Sequence, residues 1–485
     1  MANSEYNSLP VNDVVDDEVE TAQIGIERLK KEHSFIHFIC LVVFKAFSPG
    51  IFFSSAFIFQ LSGSYGLATS IWCAGGLFSL LGTLCLTEVL NSTFDPRAQG
   101  HVHVEGLRTF IHLWLTLLML EPAFQAAIAL ILSTYLLQAF FHHCSPCSIA
   151  VRITAIFIIC FLTMLNSLFV TLGSKLQRFC NCFMILVLLS IAAAGIVKMS
   201  QGNISKLKNV FRGSAWEITP ISLALCAAVF SYWGQTIPKH LIHETKHQKR
   251  KLPLAIVLSL SLVMVVYILD NTAYFIMLDK IVVTPGQTIQ LNFADHSYGL
   301  GKWLGQAAVV ICCFGSIISS MMTSSRLFVN GSIEGDLPDV FSMLHITWLT
   351  PVPALLLNCV ITLVYFFADI VSLIYYIVFT YCLFMVLACV GLLYLRWAKL
   401  VVHWLFELPP TVPALCLIPS ILLAILQLRY TWTTSLASAV LFLAGLAVYY
   451  LARVRSGQTP ATILSLFDCM TMYSQLLGNC CEMKV

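Results

Sequence analysis

The sequence predicts an all-α protein that crosses a membrane about twelve times. Three observations predict this fold class. The 485 residues are 58% hydrophobic and only 11% charged, whereas a soluble domain carries about 25% charged residues. The apolar residues fall into about twelve runs, each close to the ~20 residues that a helix needs to cross a bilayer. Two of these runs are interrupted near their middle by proline and glycine, which is typical of membrane proteins that bind a ligand at mid-membrane depth.

One membrane domain accounts for most of the chain. We expect a cytosolic N-terminal tail at 1–36, a membrane domain at 37–453 and a C-terminal tail at 454–485 that contains an amphipathic helix. Turn motifs rich in proline, glycine and asparagine separate the apolar runs. The predicted spans are, in order, 37–62, 66–90, 109–138, 150–170, 177–197, 217–239, 253–277, 303–328, 352–368, 371–395, 409–427 and 432–452.

The distribution of Lys and Arg predicts the orientation, because cytosolic loops carry an excess of both residues. With the N-terminus inside, most basic residues lie on the cytosolic side, and their densest cluster is at 246–251, between spans six and seven. We therefore expect an even number of spans with both termini in the cytosol. Asn203 begins an Asn-Ile-Ser triplet that would then lie outside, which makes it a candidate glycosylation acceptor.

The first interrupted run contains Ser48, Pro49 and Gly50, followed by Ile51. Pro49 has no N–H and clashes with the carbonyl one turn earlier, and Gly50 weakens the helix further. Hydrocarbon offers no partners to backbone groups, so such a break is tolerated only against protein or a water-filled cavity. The following half-helix would present free N–H groups and a positive dipole end to an anion such as a carboxylate. An ordinary proline kink is the alternative.

The second interrupted run, in span six, repeats these features at 230–238. It reads Phe230, Ser231, Tyr232, Trp233 and Gly234, with a proline at position 238. Two interrupted helices five spans apart match the inverted repeat of many secondary transporters. We therefore predict a central binding site between the two breaks, and two unrelated kinks are the alternative.

Ionisable residues inside the predicted spans are further candidates, because a charge in hydrocarbon costs at least a few kcal/mol unless it is paired or hydrated. Lys45 precedes the first break by about one turn, and Asp270 lies deep in span seven. Glu88 and Glu121 lie within or near spans two and three. Each acid either contacts a substrate or a coupling ion, or serves as the structural partner of another group.

Several short motifs, taken together in order, carry a resemblance to a known family. They are Gly50-Ile51-Phe52, Leu84-Cys85 with Glu88, Leu113-Trp114 followed by Gln125, Thr323-Ser324-Ser325-Arg326-Leu327-Phe328, Glu334-Gly335 with Leu337-Pro338, and Thr350-Pro351-Val352-Pro353-Ala354-Leu355. The chain from about Ser48 to Trp397 resembles the light subunits of heteromeric amino acid transporters. These form the L-type branch of the amino acid–polyamine–organocation superfamily.

The resemblance implies a twelve-helix, LeuT-like fold with a five-plus-five inverted repeat. It also implies sodium-independent exchange of amino acids by alternating access, without a cofactor or a nucleic-acid partner. In that family the span-one loop, here Ser48, Pro49 and Gly50 before Ile51, binds the substrate carboxylate through backbone N–H groups. The span-six loop, here 230–234, binds the amino group through its carbonyls. In this loop, Phe230 matches the aromatic residue that closes over the substrate.

The resemblance also implies a partner chain in the plasma membrane. The family's cysteine between spans three and four forms a disulfide with a single-span glycoprotein heavy subunit, and Cys144 lies at that place. An external loop is oxidising, so a thiol there can form a disulfide. A local pair between Cys144 and Cys147, or free thiols, are the alternatives.

The sequence departs from the family at the site itself. The family usually has Gly-Ser-Gly where this chain has Ser48-Pro49-Gly50, so Pro49 removes one donor. Trp233 replaces a glycine or an aspartate, and without an acid there a cationic side chain is disfavoured. Span five often carries a lysine where this chain has Met184. We expect Lys45 to supply the displaced positive charge, so that sodium is still not needed.

These observations predict a sodium-independent exchanger of neutral L-amino acids. The alternative is a transport-weak or transport-silent membrane subunit with an assembly or sensing role, which the altered Pro49 and Trp233 favour. An enzyme is not favoured, because no pair of histidines lies at a useful spacing from an acid.

Overall fold

A computed structural model shows a chain built almost entirely from helices. The structure describes residues 35–91, 93–94, 102–140, 146–201, 209–233, 252–277, 293, 302–348, 350–397, 402–403, 407–450 and 480–482. The predicted tails at 1–36 and 454–485 therefore lie almost wholly outside the described residues.

The helices follow one another with few other elements between them. They are α1 (Phe35–Ala46), α2 (Gly50–Ser62), α3 (Tyr65–Asn91), α4 (Val102–Trp114), α5 (Glu121–Phe140), α6 (Ser148–Leu168), α7 (Val170–Ser200), α8 (Ile218–Ser231), α9 (Leu252–Met277), α10 (Lys302–Ile333), α11 (Val352–Tyr365), α12 (Ile370–Trp397), α13 (Thr411–Tyr430) and α14 (Trp432–Tyr449). A π-helical segment, Leu115–Leu120, joins α4 to α5, and a short 3-10 helix spans Asp339–Ser342.

The apolar runs form helices because a helix pairs its backbone N–H and C=O groups internally, as a lipid environment requires. Within the described ranges, nine helical stretches are long and apolar enough to cross a membrane, and α2, α8 and α11 are shorter apolar helices. These elements follow the predicted spans in order, with α1 and α2 together forming span one. The all-helical membrane fold is confirmed, and the order of the helices fits the twelve-span architecture.

Large apolar side chains cover much of the outer surface. Phe157 is 68% exposed, Leu186 is 65% exposed and Ile418 is 67% exposed. A soluble monomer rarely exposes extensive apolar surface, because water disfavours it. Such a surface is stable in contact with lipid.

The π-helical segment in span three has an identifiable cause. Pro122 has no N–H, and its ring clashes with the carbonyl one turn earlier. The helix widens just before it, so that the Glu121 N–H donates to the Thr116 carbonyl, five residues back. Such π-bulges frequently occur at functional sites. This one places Glu121, which is buried, at the start of α5.

Glycines let helices approach closely around the two breaks. A Cβ atom added at Gly195 in α7 would lie 2.5 Å from the Ala273 Cβ in α9. One added at Gly75 in α3 would lie 2.8 Å from the Ala228 Cβ in α8. Small residues allow this backbone approach between membrane helices. The contacts fix α9 and α8, which carry groups of the candidate site.

Two short antiparallel strand pairs join connecting segments. β1 (Thr93–Phe94) pairs with β3 (Val402–His403), and β2 (Met343–His345) pairs with β4 (Cys480–Glu482). The first pair joins the segments after spans two and ten, and the second joins the segment after span eight to the C-terminal tail. All these segments lie on one side of the membrane in an alternating topology.

Candidate functional site

Span one is interrupted in the structure, as Pro49 predicts. α1 ends at Ala46, Pro49 caps α2 with φ −64° and ψ −6°, and α2 begins at Gly50. The expectation of free N–H groups at this break is wrong for this structure. The Gly50 N–H donates to Ser48 Oγ at 3.2 Å, and the Ile51 N–H donates to the Ser48 carbonyl at 3.3 Å. Ser48 therefore caps the half-helix that follows it.

Tyr267 in α9 connects the break in span one to the end of α8 through one hydroxyl group. Its oxygen accepts from the Ser48 N–H at 2.9 Å. Its proton faces two carbonyls, those of Ser48 and Ser231, each at 3.2 Å. Tyr267 is fully buried, so these bonds are not in competition with bulk water. A single side chain thus satisfies backbone groups that the break leaves without helical partners.

The described helix of span six ends within the stretch where the sequence predicts a break. α8 ends at Ser231, and Tyr232 and Trp233 are no longer helical. The continuation from Gly234 lies outside the described residues. Phe230 is completely buried, and its ring lies against Gly50: a Cβ atom added there would be 3.1 Å from Phe230 Cε1. The break in span one is therefore packed directly against the end of α8.

Aromatic rings close the space around this junction. The Tyr232 ring lies 5.1 Å from that of Tyr267 and 5.9 Å from that of Trp72, and the Tyr232 hydroxyl donates to the Trp72 carbonyl at 3.2 Å. Trp233 stacks on Phe124 at 5.2 Å with an interplanar angle of 17°. The Trp233 ring is thus held against α5 beside the junction.

Two cavities lie on opposite sides of the junction along span one. We name them the inner and outer cavities. The inner cavity, of about 430 Å³ including its open part, lies beside the end of α1 and is lined by Phe44, Lys45, Phe47, Ser48, Glu121, Phe124, Asn181, Met184, Trp233, Ser316, Ser319, Ser320 and Thr323. The outer cavity, of about 290 Å³, lies beside the C-terminal half of α2 and is lined by Ser55, Phe59, Tyr65, Ala68, Thr69, Asn271, Tyr274 and Phe275.

The inner cavity contains one basic and one acidic side chain, which lie close enough to attract each other. They are Lys45 and Glu121. Ser320 Oγ donates to Glu121 Oε2 at 2.5 Å. Met184 of α7 lines the same cavity. The pairing reduces the cost of holding these two charges within the membrane.

A buried polar network extends from Glu121 into the neighbouring helices. Gln125 Nε2 donates to Ser320 Oγ at 2.9 Å, and Gln125 Oε1 accepts from Asn358 Nδ2 at 2.8 Å and from Thr362 Oγ1 at 3.2 Å. The network connects α5, α10 and α11. It holds the Glu121 side of the inner cavity in one position.

The other predicted acids lie apart from the inner cavity. Asp270 is fully buried one turn after Tyr267, and neither of its carboxylate oxygens has a hydrogen-bond partner in the described part of the chain. Glu88 accepts a hydrogen bond from Arg396 near the ends of α3 and α12. Glu88 is therefore the structural partner of another group, one of the two roles that the sequence allowed for each acid. The described residues offer no such partner for Asp270.

Three predicted residues lie outside the described residues, namely Gly234, Cys144 and Asn203. The others form three groups. Lys45, Ser48 and Trp233 line the inner cavity. The junction contains Pro49, Gly50, Ile51, Phe230, Ser231 and Tyr232, all of them buried. Asp270 stands alone on α9.

Sequence reasoning missed Tyr267 and the polar face of α10. Ser316, Ser319, Ser320 and Thr323 recur at the i, i+3, i+4, i+7 spacing that places residues on one face of a helix. That spacing could have identified α10 as a wall of the site. Tyr267 gives no such signal, because a tyrosine in an apolar helix is common and its partners come from two distant segments.

We predict that replacing Tyr267 with Phe destabilises the folded protein. The variant leaves the buried Ser48 N–H without its acceptor, which costs about 1–3 kcal/mol. The melting temperature of the purified protein in detergent should fall by a few degrees. Tyr394→Phe is the matched control, because Tyr394 is 58% exposed on α12. Equal melting temperatures for both variants would show that the Tyr267 hydroxyl does not hold the two breaks together.

Comparisons with known proteins identify the family. A family model described as amino acid permease matches residues 34–473. The chain is 30% identical to the large neutral amino acids transporter small subunit 2 of Homo sapiens over 461 residues, which are 92% of this chain and 85% of the relative. It is 29% identical to the Homo sapiens cystine/glutamate transporter over 430 residues, which are 87% of this chain and 85% of the relative. Over 459 residues it is 29% identical to the Mus musculus Asc-type amino acid transporter 1, covering 93% of this chain and 86% of the relative.

These matches confirm the predicted resemblance and the prediction that the chain is not an enzyme, since the family and these relatives are transporters. The match to the family model extends over the interrupted spans, both cavities and the polar network. The chain belongs to the amino acid permease family.

Proposed function

We propose that this protein exchanges neutral L-amino acids across the plasma membrane by alternating access, without sodium. The observation that carries the proposal is the pair of cavities on opposite sides of the packed junction between the break in span one and the end of α8. A substrate held at the junction can be released to either side when the helices move relative to one another. Membership of the family supports amino acids as the cargo.

In this proposal, the substrate carboxylate takes the place of the Ser48 side chain. Ser48 Oγ accepts from the Gly50 N–H, and a carboxylate is a stronger acceptor at the positive end of the α2 dipole. The amino group binds the carbonyls at the end of α8, including that of Ser231, and the loop up to Gly234. Pro49 donates nothing, so Gly50 and Ile51 supply the amides. Phe230 covers the bound substrate.

The preference for neutral side chains follows from the charge balance of the inner cavity. Glu121 is attracted by Lys45 and accepts a hydrogen bond from Ser320, so its charge is already partly compensated and attracts a cationic substrate less strongly. Trp233, stacked on Phe124, offers an apolar wall instead. A substrate with an unpaired charge on its side chain would have to bury it there at high cost.

We predict trans-stimulated uptake in proteoliposomes. Vesicles that contain the protein and are loaded with unlabelled alanine or leucine should take up the labelled amino acid several times faster than empty vesicles do. An exchanger returns its binding site to the outside faster when it carries an internal amino acid. Lysine and glutamate should not compete. Absence of uptake across a broad panel would instead support the transport-silent subunit, an alternative that similarity to transporters does not favour.

We further propose that Lys45 replaces a coupling cation. Its ammonium group lies in the inner cavity beside Met184 and Glu121. In Lys45→Met the Glu121 carboxylate loses its counter-charge, so we expect uptake to fall at least tenfold in sodium-free medium and to recover in part when sodium is added. Lys175→Met is the matched control, because Lys175 is exposed on α7. Unchanged, sodium-independent uptake by Lys45→Met would contradict this role.

Asp270 is the second residue that we propose for charge coupling.

The protein is proposed to work as the light subunit of a heterodimer with a single-span glycoprotein. Cys144 lies outside the described residues. Cys147, the residue just before α6, is exposed. On a non-reducing gel of membranes that co-express the heavy subunit, Cys144→Ser should abolish the high-mass band. Cys147→Ser should retain it. Loss of the band only in Cys147→Ser would assign the bond to the other cysteine.

The proposed topology places both termini in the cytosol. The pairing of Cys480–Glu482 with Met343–His345 supports this, because it brings the C-terminal tail to the segment after span eight. The connections after spans two and ten also share one side. In this topology Asn203 lies outside, where it is a glycosylation acceptor, and the tails at 1–36 and 454–485 are cytosolic.

A further inference from the structure

Three buried cysteines converge at a place that the proposed transport does not use. Cys85 in α3, Cys389 in α12 and Cys416 in α13 hold their Sγ atoms within 4.8 Å of one another. Each of these residues has no exposed surface. In the described part of the chain, no other group of three or more metal-ligating side chains meets this spacing. A single buried cysteine behaves as a small apolar residue, but three thiols from three separate helices form a set of donors.

A buried hydroxyl near the cluster lacks a hydrogen-bond partner in the described residues. The Tyr381 hydroxyl is buried and has no hydrogen-bond partner in the described residues. It lies in electrostatic range of all three thiols. Gly82 makes room for it, since a Cβ atom added there would overlap the hydroxyl oxygen. A buried polar group without a partner is costly and calls for an explanation, and a ligand at the cysteine cluster supplies one.

In the proposed topology the cluster lies toward the cytosolic ends of its helices. The three thiols lie within about 12 Å of the nearest ends of their helices, at 1.5 Å per residue. The pairing of Thr93–Phe94 with Val402–His403 shows that the ends of α3 and α12 lie on the same side. The cytosol is reducing, so thiols there remain available as metal ligands.

Thiolate donors select soft d10 ions such as zinc and copper(I). Four ligands around zinc at a Zn–S distance of about 2.3 Å place the sulfur atoms roughly 3.8 Å apart. Since no two Sγ atoms lie more than 4.8 Å apart, the cluster needs to contract by at most about 1 Å. Three thiolates leave a net charge of −1 with Zn²⁺ and of −2 with Cu⁺. Because a buried charge is costly, the divalent ion fits better.

We propose that Cys85, Cys389 and Cys416 bind one Zn²⁺ ion, with the Tyr381 hydroxyl as the neutral fourth ligand. Binding converts three thiols to thiolates and releases three protons to water, with no change of oxidation state. The ion ties α3 to α12 and α13 near their cytosolic ends. It is a structural site, because all four positions are filled by the protein.

The test measures zinc bound by the purified full-length protein under reducing conditions. Wild type should retain one equivalent of Zn²⁺ in competition with a chromophoric chelator, and Cys389→Ala should lose it. Cys313→Ala should retain it, because Cys313 is equally buried but lies on α10 outside the cluster. Retention of that equivalent by Cys389→Ala would overturn the proposal.

X-ray absorption at the zinc edge of the wild type tests the site without any variant, in case Cys389→Ala does not fold. We expect three sulfur ligands and one oxygen ligand per zinc, with Zn–S distances of about 2.3 Å. A first shell dominated by nitrogen and oxygen, or absence of chelator-resistant zinc from the wild type, would show that the cysteines serve only as apolar packing.

Discussion

The junction between the break in span one and the end of α8 depends on the Tyr267 hydroxyl. Breaking a helix inside a membrane frees N–H and C=O groups that hydrocarbon cannot satisfy. One phenol, from a third helix, accepts from the Ser48 N–H and faces the carbonyls of Ser48 and Ser231. Its position requires both breaks to lie at the same depth. The contact of Phe230 with Gly50, and the separation of the inner from the outer cavity, follow from that arrangement.

A second constraint acts through charge rather than through backbone groups. Lys45 and Glu121 share the inner cavity, and the Gln125 network fixes the acid from behind. Neither charge would be tolerated alone at this depth. The proline-induced π-bulge that precedes α5 brings Glu121 to the cavity. The charge balance of the site is therefore tied to the backbone irregularity of span three, just as its shape is tied to those of spans one and six.

The sequence predicts the fold well because apolar runs and proline breaks are local signals. The helix order, the interruption before Gly50 and the end of α8 near Ser231 all follow from such patterns. The sequence does not predict whether the N–H groups at the start of α2 are free or bonded. Ser48 Oγ accepts from the Gly50 N–H through a turn geometry that composition cannot show. Tyr267 was missed for the same reason, because its role arises from two segments far away in the chain. The sequence also does not distinguish an acid that forms a structural pair, such as Glu88, from an acid that lines the inner cavity, such as Glu121.

The self-capped break has a consequence for how a substrate binds. A carboxylate that displaces Ser48 Oγ exchanges one hydrogen bond for another, so the net gain is only about 1 kcal/mol, or roughly twice that for the charged acceptor. Pro49 withholds one further donor. Most of the difference between substrates must therefore come from contact of the side chain with Phe230, Phe124 and Trp233. Burial of an aliphatic side chain contributes about 1.5–3 kcal/mol, whereas a charged one would meet no free partner. In the proposed exchanger, the same local chemistry that closes the junction would therefore favour neutral amino acids.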